Sequence, residues 1–564
     1  MDIVLVPKNI PVISLLRRIG PSELVFWLVG IILVLIPFVW RLQLLMLRAF
    51  DADELQHLHS AWLVSEGFLP YRDYFQHHTP GLHYLLSPVF WLADVKTDPA
   101  SALRLIFLSR QLMWLFTGLG LGLIFYLGTV WKGTSVGLVG TIMLGNCIMY
   151  LEKTIEIRPD VAASALWIAC VLVLFVALAA PDQAALGVIP KYLFSGALLA
   201  LSLIFTQKML VALPSLFITM ISHLVEGYRR EKLGSFIVSW IYFAVGASLP
   251  IAAVAWLFYY QGGLTTLIEF CFLMNTDPNA RWSPVYYLTQ LTRQDPWLVA
   301  IGAVAVVRYI VGLVSSGVSR SGDMLVTSCV VIPVAGLFVL PWPERQYYVT
   351  FLPFLALFSG AVIIEIRRML LQFMEGQSTK GMQMKVAITL IGLFYALWFT
   401  LGVSNSVIGK LLPYSVMWIL GTGIAWVSLK SGWSHIALAS LLVCLSWNSL
   451  VQFRDAFKLS NTNQLLEISY VIANTDPSAV VLDGWSGTGV FRPHAFFYWF
   501  LHRRLVATLE TSVLRNLVAG LKSGHIRPTL IILDDELKMA SPDLNDFIRQ
   551  KYLPVGVGDI WRKR

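Results

Sequence analysis

Long apolar runs separated by short polar breaks fill the chain up to about residue 450, and many approach the ~20 residues needed to cross a bilayer. Their positions predict thirteen membrane spans. The first seven fall at about 24–46, 104–131, 134–151, 160–180, 190–207, 208–226 and 235–259. The others fall at about 297–317, 324–340, 346–366, 386–404, 413–430 and 434–451. The run LHYLLSPVFWLAD (82–94) is too short to cross and is expected to lie in the membrane interface. Beyond residue 454 the pattern changes. LLEISYVIANT (465–475) has helical spacing, and AVVLD (479–483) and TLIILDD (529–535) read as buried strands that end in acids. The expected fold is a polytopic α-helical membrane protein over 1–453 with a small C-terminal α/β domain over 454–564.

The polar breaks sort by charge. Lys8, Arg17 and Arg18 precede the first span. Lys132, the run Tyr228-Arg229-Arg230-Glu231-Lys232, Arg320, Arg367, Arg368, Lys380 and Lys385 mark later breaks on the same side. Basic short loops face the cytoplasm, so the N-terminus is placed inside and the C-terminal domain outside. The first apolar run is long and lacks a small-residue cleavage pattern, so it reads as a retained helix in a multi-pass inner or plasma membrane protein. A net charge of +9 spread through such loops orients spans and argues against nucleic-acid binding. The five cysteines lack CxxC spacing, so neither a disulfide framework nor a zinc knuckle follows. In the tail, GWSGTG (484–489) lacks the Lys-Ser/Thr of a phosphate loop, and no catalytic motif is evident there.

The remaining polar clusters all fall on the outer face. The largest is the first outer loop, 48–82 (with His83 beside it), where five of the ten histidines (His57, His59, His77, His78, His83) join Asp51, Asp53, Glu54 and Asp73. Ionisable groups at a membrane boundary are costly and mark functional sites. Adjacent acids point in different directions, so one of Asp53 and Glu54 can face a cavity as a general base while its neighbour caps or pairs elsewhere. His77 and His78 suit hydrogen bonding to phosphate, and His78 is a candidate metal ligand, although no HxxxH pattern supports it. Structural or interfacial histidines explain the cluster equally well. Pro159 and Asp160 suit a helix N-terminus, but Arg158 opposes its dipole and calls for an anion nearby. Lys208, at the tip of the hairpin 190–226, has the same look, or it snorkels. Arg345, Tyr347 and Tyr348 place a cation and two phenols on one turn, suited to a phosphate group or to the aromatic belt.

Taken in order, these pieces resemble the GT-C superfamily of membrane glycosyltransferases, in the branch of protein O-mannosyltransferases and lipid A aminoarabinose transferases. The resemblance rests on Asp53-Glu54, on GFLPYRD with Tyr71 and Asp73, and on His78-Thr79-Pro80-Gly81-Leu82. IRPD (157–160), TQK (206–208) and ERQYYVTFLP (344–353) complete it. It implies an inverting transfer from a polyprenyl-phosphate sugar donor to a glycan, lipid or protein acceptor at the outer face. Asp53 would be the catalytic base, and Arg345, Tyr347, Lys208 and Arg158 would hold the donor phosphate. Where that branch often has Glu-Lys-Pro-Pro, this chain has His78-Thr79-Pro80-Gly81. The lysine is missing, and a histidine stands in for the cation or ligates a divalent metal; no cofactor is otherwise required. Two other readings compete: an oligosaccharide transferase or ligase using a diphosphate-linked lipid, and a lipid or solute transporter.

Overall fold

The computed structural model describes residues 20–179, 185–274, 283–316, 321–340, 343–376 and 433–564, with isolated positions between 421 and 428. Among these, eight helices are long and apolar enough to cross a membrane, or nine if a bent pair counts as one span. The bent pair, Thr134–Gly145 and Ile148–Thr154, turns by 70°. The break is stabilised from a distance: the buried carboxylate of Asp295 accepts hydrogen bonds from Ile148 N (2.8 Å) and Met149 N (3.1 Å). A remote acid thus caps the second half, satisfying donors that would otherwise be orphaned in an apolar setting.

The other boundaries follow local chemistry. Pro21–Leu47 and Pro159–Leu178 start with proline, and Pro99–Lys132 adds Asp98 as N-cap to Ala100 N and Ser101 N. Proline costs nothing where the N–H has no intrahelical partner. Ala185–Phe205 stops at Thr206, passes through a 3-10 turn Gln207–Ala212, and continues as Leu213–Arg229. Leu233–Tyr260 and Pro296–Ser316 follow. The expected spans 324–340 and 346–366 take a different form. Ser321–Gly336 has only 16 residues, and Leu352–Met374 begins after a 3-10 turn, Arg345–Thr350, and carries Glu365, Arg367 and Arg368. The expected spans 386–404 and 413–430 lie outside the described residues apart from isolated positions, as do Lys8, Arg17, Arg18, Arg320, Lys380 and Lys385. Ser434–Ala456 packs beside the first helix.

Outside this bundle, the run 82–94 forms a one-turn helix, Gly81–Leu86, and a 3-10 turn, Ser87–Trp91, with Trp91 and Leu92 exposed. The tail folds as helix Thr462–Ala473 and a four-stranded sheet. β1 (Val481–Asp483) pairs in parallel with β2 (Leu530–Ile532); β4 (Ile560–Lys563) is antiparallel to β2 and to β3 (Tyr552–Pro554). Helices Thr511–Ser523 and Pro542–Lys551 pack on the sheet through Leu517, Leu521, Leu544 and Ile548. The two expected strands are β1 and β2; β3 and β4 were not evident in the sequence pattern.

The tail returns to the start of the chain. Ala49 N donates to Leu459 O (3.1 Å) and Asn461 N to Leu47 O (3.0 Å). The Gln464 amide brackets the Phe50 backbone, accepting from its N (2.7 Å) and donating to its O (2.9 Å). A single apolar cluster then joins the first loop (Leu55, Leu58, Trp62, Phe75) to the tail (Ile468, Phe491, Trp499, Phe500).

Candidate active site

The helix Ala52–Ser65 sets the geometry. Asp51 is its N-cap, with its carboxylate accepting from Asp53 N (3.0 Å), while Glu54 Oε1 accepts from Asp51 N (2.9 Å). This reciprocal capping box fixes where the acids point. Glu54 turns inward and is completely buried. Arg110 grips it through two bonds (2.7 and 2.8 Å), and Ile157 N donates to it as well (3.0 Å). Arg110 also donates to the carbonyls of Leu45 and Arg48. Both carboxylate oxygens of Glu54 are occupied by the fold, and Glu54 is not among the residues that line the cavity beside Asp53. Of the two adjacent acids offered as catalytic, Asp53 is the one that borders the cavity, and Glu54 is the one that pairs elsewhere, so it is not placed to act on a substrate.

Asp51 and Asp53 face a cavity of about 760 Å³. Its polar wall adds His77, His78, Lys153, Arg158, Gln207, Lys208 and Arg345. Arg158 places each guanidinium nitrogen on a carboxylate: Nη1 on Asp53 (2.9 Å), Nη2 on Asp51 (3.0 Å) and Nε on Glu156. The anions that its place at a helix N-terminus demands are therefore side chains. Lys153 bonds Glu156 (2.9 Å) and lies 3.8 Å from Asp51. Lys208 reaches Asp160 (3.3 Å) and lies over the Tyr347 ring, and Arg345 reaches Glu152 (3.1 Å) and lies over Tyr287.

Burial would raise the Asp53 pKa. The charges of Arg158, then Lys208, His77 and Lys153, outweigh it and hold the carboxyl below its ordinary range. Burial acts the other way on the imidazoles: it lowers His77 and His59 to about 4 and His83 to about 3, and puts His57 and His78 well below the ordinary value. The acid is thus ionised and the histidines are neutral near pH 7.

The loop 70–81 is locked in place. Tyr71, at φ +70°, donates its hydroxyl to His78 O (2.7 Å), and Gln76 Oε1 accepts from His77 N (2.9 Å) and His78 N (3.1 Å). Gln207 Nε2 donates to His77 O (2.7 Å), so the loop is tied to the tip of the 190–226 hairpin. Gly81 sits so close to Ile204 O that a Cβ would come within 2.7 Å. Asp73 pairs with Arg72 and caps Leu69 N, away from the cavity. His57 and His83 meet at 3.4 Å behind it, and His59 turns to the tail, 2.8 Å from Val490 O. Tyr347 lines the cavity, whereas Tyr348 is buried with its hydroxyl on Pro284 O (3.5 Å). Asp160 supports Lys208 from below the wall. Among the described residues, no three His, Cys, Asp or Glu side chains converge to hold a metal ion. Around His78 the described side chains thus bring together fewer than three such ligands.

Sequence reasoning singled out neither Lys153 nor the tail as part of the site. Trp485, Phe500, His502, Leu505 and Thr508 all line the cavity. A signal for Lys153 exists in its place beside Glu152, Glu156, Arg158 and Asp160 between two apolar runs; the tail residues carry none. The apolar part of the lining includes Leu210, Val211, Phe272, Met274 and Val339.

No family model matches the chain, and no curated protein matches it in sequence. Solved structures do share its fold. ArnT from Cupriavidus metallidurans in the apo state has 13% identity and a TM-score of 0.53, over 89% of this chain and 92% of that one. The same protein bound to undecaprenyl phosphate has 12% identity and a TM-score of 0.54 over the same shares. The apo oligosaccharyltransferase of Archaeoglobus fulgidus has 9% identity and a TM-score of 0.51, over 89% of this chain and 69% of that one. The chain therefore shares the fold of these solved structures.

Proposed function

We propose that this chain is an inverting membrane glycosyltransferase that takes a sugar from a polyprenyl-phosphate donor and transfers it to a hydroxyl-bearing acceptor. In this reading residues 1–453 form the catalytic membrane domain and 454–564 its extracytoplasmic cover, with the site on the outer face. One observation carries it: an ionised acid, two cations with donors to spare and an apolar wall border the same cavity. The apolar wall suits a lipid tail, and the polar wall suits a phosphate and a sugar.

The roles follow from what each side chain has left to give. Lys208 and Arg345 are each held by one carboxylate, so both retain N–H groups for a phosphate, and Tyr347 supports Lys208 from its ring face. Arg158 is committed to three carboxylates, so its part is to orient Asp53 rather than to grip the donor. An acceptor hydroxyl attacks the anomeric carbon from the face opposite the phosphate. The carbon–oxygen bond to phosphate breaks, and its electron pair leaves with the lipid phosphate, whose added charge Lys208 and Arg345 offset. Asp53 takes the hydroxyl proton. A carboxylate weakened as a base by Arg158 suffices, because that proton becomes acidic only as the new bond forms. The products are a glycoside of inverted configuration and the polyprenyl phosphate.

The likeness to ArnT bound to undecaprenyl phosphate supports a lipid-phosphate ligand. The test is turnover by the full-length protein in nanodiscs with a panel of short-chain polyprenyl-phosphate sugars, read as release of lipid phosphate. Turnover of at least one donor is expected. Failure to bind any polyprenyl phosphate overturns the reading.

A further inference from the structure

A second, small cavity of about 20 Å³ lies against the break between Thr134–Gly145 and Ile148–Thr154, with room for one water-sized occupant. Its polar lining comes from three distant parts of the chain. Asn146 sits in the break itself, Asp295 precedes the helix Pro296–Ser316, and Ser446 and Ser449 lie on the helix Ser434–Ala456. All four are more than nine-tenths buried. Each brings oxygen to the site. The Asn146 amide nitrogen is committed to Leu33 O (3.0 Å) and Ile142 O (2.9 Å), and its Oδ1 accepts from nothing. Ser446 and Ser449, three residues apart, share one helix face.

The charge at this site has no partner. The Asp295 carboxylate accepts from Ile148 N, Met149 N and Cys147 Sγ, and among the described residues no basic side chain pairs with it. Arg41, which also touches the break, donates to Gly145 O (3.1 Å) and Pro37 O (3.2 Å) instead. The C-terminal end of Thr134–Gly145, where Asn146 is the cap, adds the negative pole of its dipole. A buried carboxylate without a counter-charge is costly. A water molecule would bring two protons and no charge. A divalent ion calls for more than one carboxylate. A single positive charge that takes several oxygens answers both needs.

We infer that this cavity binds one small alkali cation, of the size of sodium, through Asp295, Asn146, Ser446 and Ser449. Amide and hydroxyl oxygens serve such an ion, as do the C-terminal ends of broken membrane helices, so no trio of acids or histidines is needed. The ion clamps the bend. Past the bend, the short helix Ile148–Thr154 carries Glu152, the partner of Arg345, and Lys153, which lines the larger cavity. Ion occupancy thus fixes the segment from which two charges of the candidate active site project.

The test uses the full-length protein in nanodiscs, with binding of radioactive sodium read by scintillation proximity and melting temperature read in choline, sodium, potassium and caesium chloride at one ionic strength. Saturable binding of one sodium per chain is expected. Melting temperature should rise by about 2–4 °C as sodium replaces choline, less with potassium and not with caesium. Asp295→Asn removes the charge, and the double variant Ser446→Ala with Ser449→Ala removes two oxygens without touching the caps of the break. Each should weaken sodium binding about tenfold or more. The serine double variant should melt within about 2 °C of wild type in choline and lose the rise with sodium. Absence of saturable sodium binding, a melting temperature indifferent to the ion, or sodium binding unmoved in the serine double variant overturns the inference and leaves the cavity to water or a proton.

Discussion

Asp53 and Glu54 are neighbours in sequence and each is held by an arginine, yet their surroundings differ. The Glu54–Arg110 pair is sealed, with side-chain exposures of 0% and 1%, and every polar atom of the carboxylate is spent on capping and on the Ile157 N–H. The Asp53–Arg158 pair opens on the cavity, with Asp53 at 21%. A sealed ion pair cannot meet a substrate and serves to fix the first loop against the long second span. An open one keeps a carboxylate ionised while leaving it within reach. What separates structure from chemistry here is access, since residue type and pairing are alike.

Four measurements would break or sharpen that contrast. Asp53→Asn should lower the transfer rate about 10²–10⁴-fold, the range for a lost general base, with melting temperature within about 3 °C of wild type. Full retained activity would remove Asp53 as the base. Arg110→Ala should do the reverse kind of damage, leaving Glu54 charged and buried at a cost of about 3–5 kcal/mol. Replacing both partners with apolar residues should restore much of that stability. If the single variant melts like wild type, the pair is not the lock described. Lys208→Ala and Arg345→Ala should each weaken farnesyl phosphate binding about 10–100-fold, while Arg158→Lys should lower turnover more than affinity. Equal effects on donor affinity from all three would return Arg158 to the phosphate site.

The smallest and broadest effect concerns acid. His57, His59, His77, His78, His83 and His494 all titrate below the unfolded value of about 6.5. As pH falls through 6.5 the unfolded chain binds protons that the folded chain refuses, so stability declines from there down toward about 4. The slope of unfolding free energy between about pH 6 and 5 should therefore exceed that of one proton. Asp53 runs the other way in range, since its stabilisation is lost only below the ordinary carboxylate region. A flat stability profile from pH 7 to 5 would contradict the burial of the histidines.

Much of this was legible before any coordinates. Runs such as 24–46 and 160–180 fixed helices because twenty apolar residues have few other options, and Pro159 marked its helix start. Which of two adjacent acids faces a cavity was not legible, because the answer lies with Arg110, 56 residues away. A clue existed, an arginine inside the apolar run of 104–131, where a charge needs a partner. The sequence calls for an anion near Arg158, but that three carboxylates, of Asp51, Asp53 and Glu156, supply it is fixed by the fold. The bend at Asn146–Cys147 depends on Asp295, which lies almost 150 residues further along the chain. The tail's share of the cavity came from packing between residues about four hundred positions apart, beyond the reach of any local pattern.

The bracket that Gln464 forms around Phe50 spans 414 residues. During synthesis the ribosome delivers the first loop long before its partner emerges, and segments that far apart close slowly. A nascent chain thus carries its acids and cations to the membrane without the cover that completes their pocket. A chain cut short before residue 460 would lack Trp485, Phe500, His502, Leu505 and Thr508, and with them part of the cavity lining.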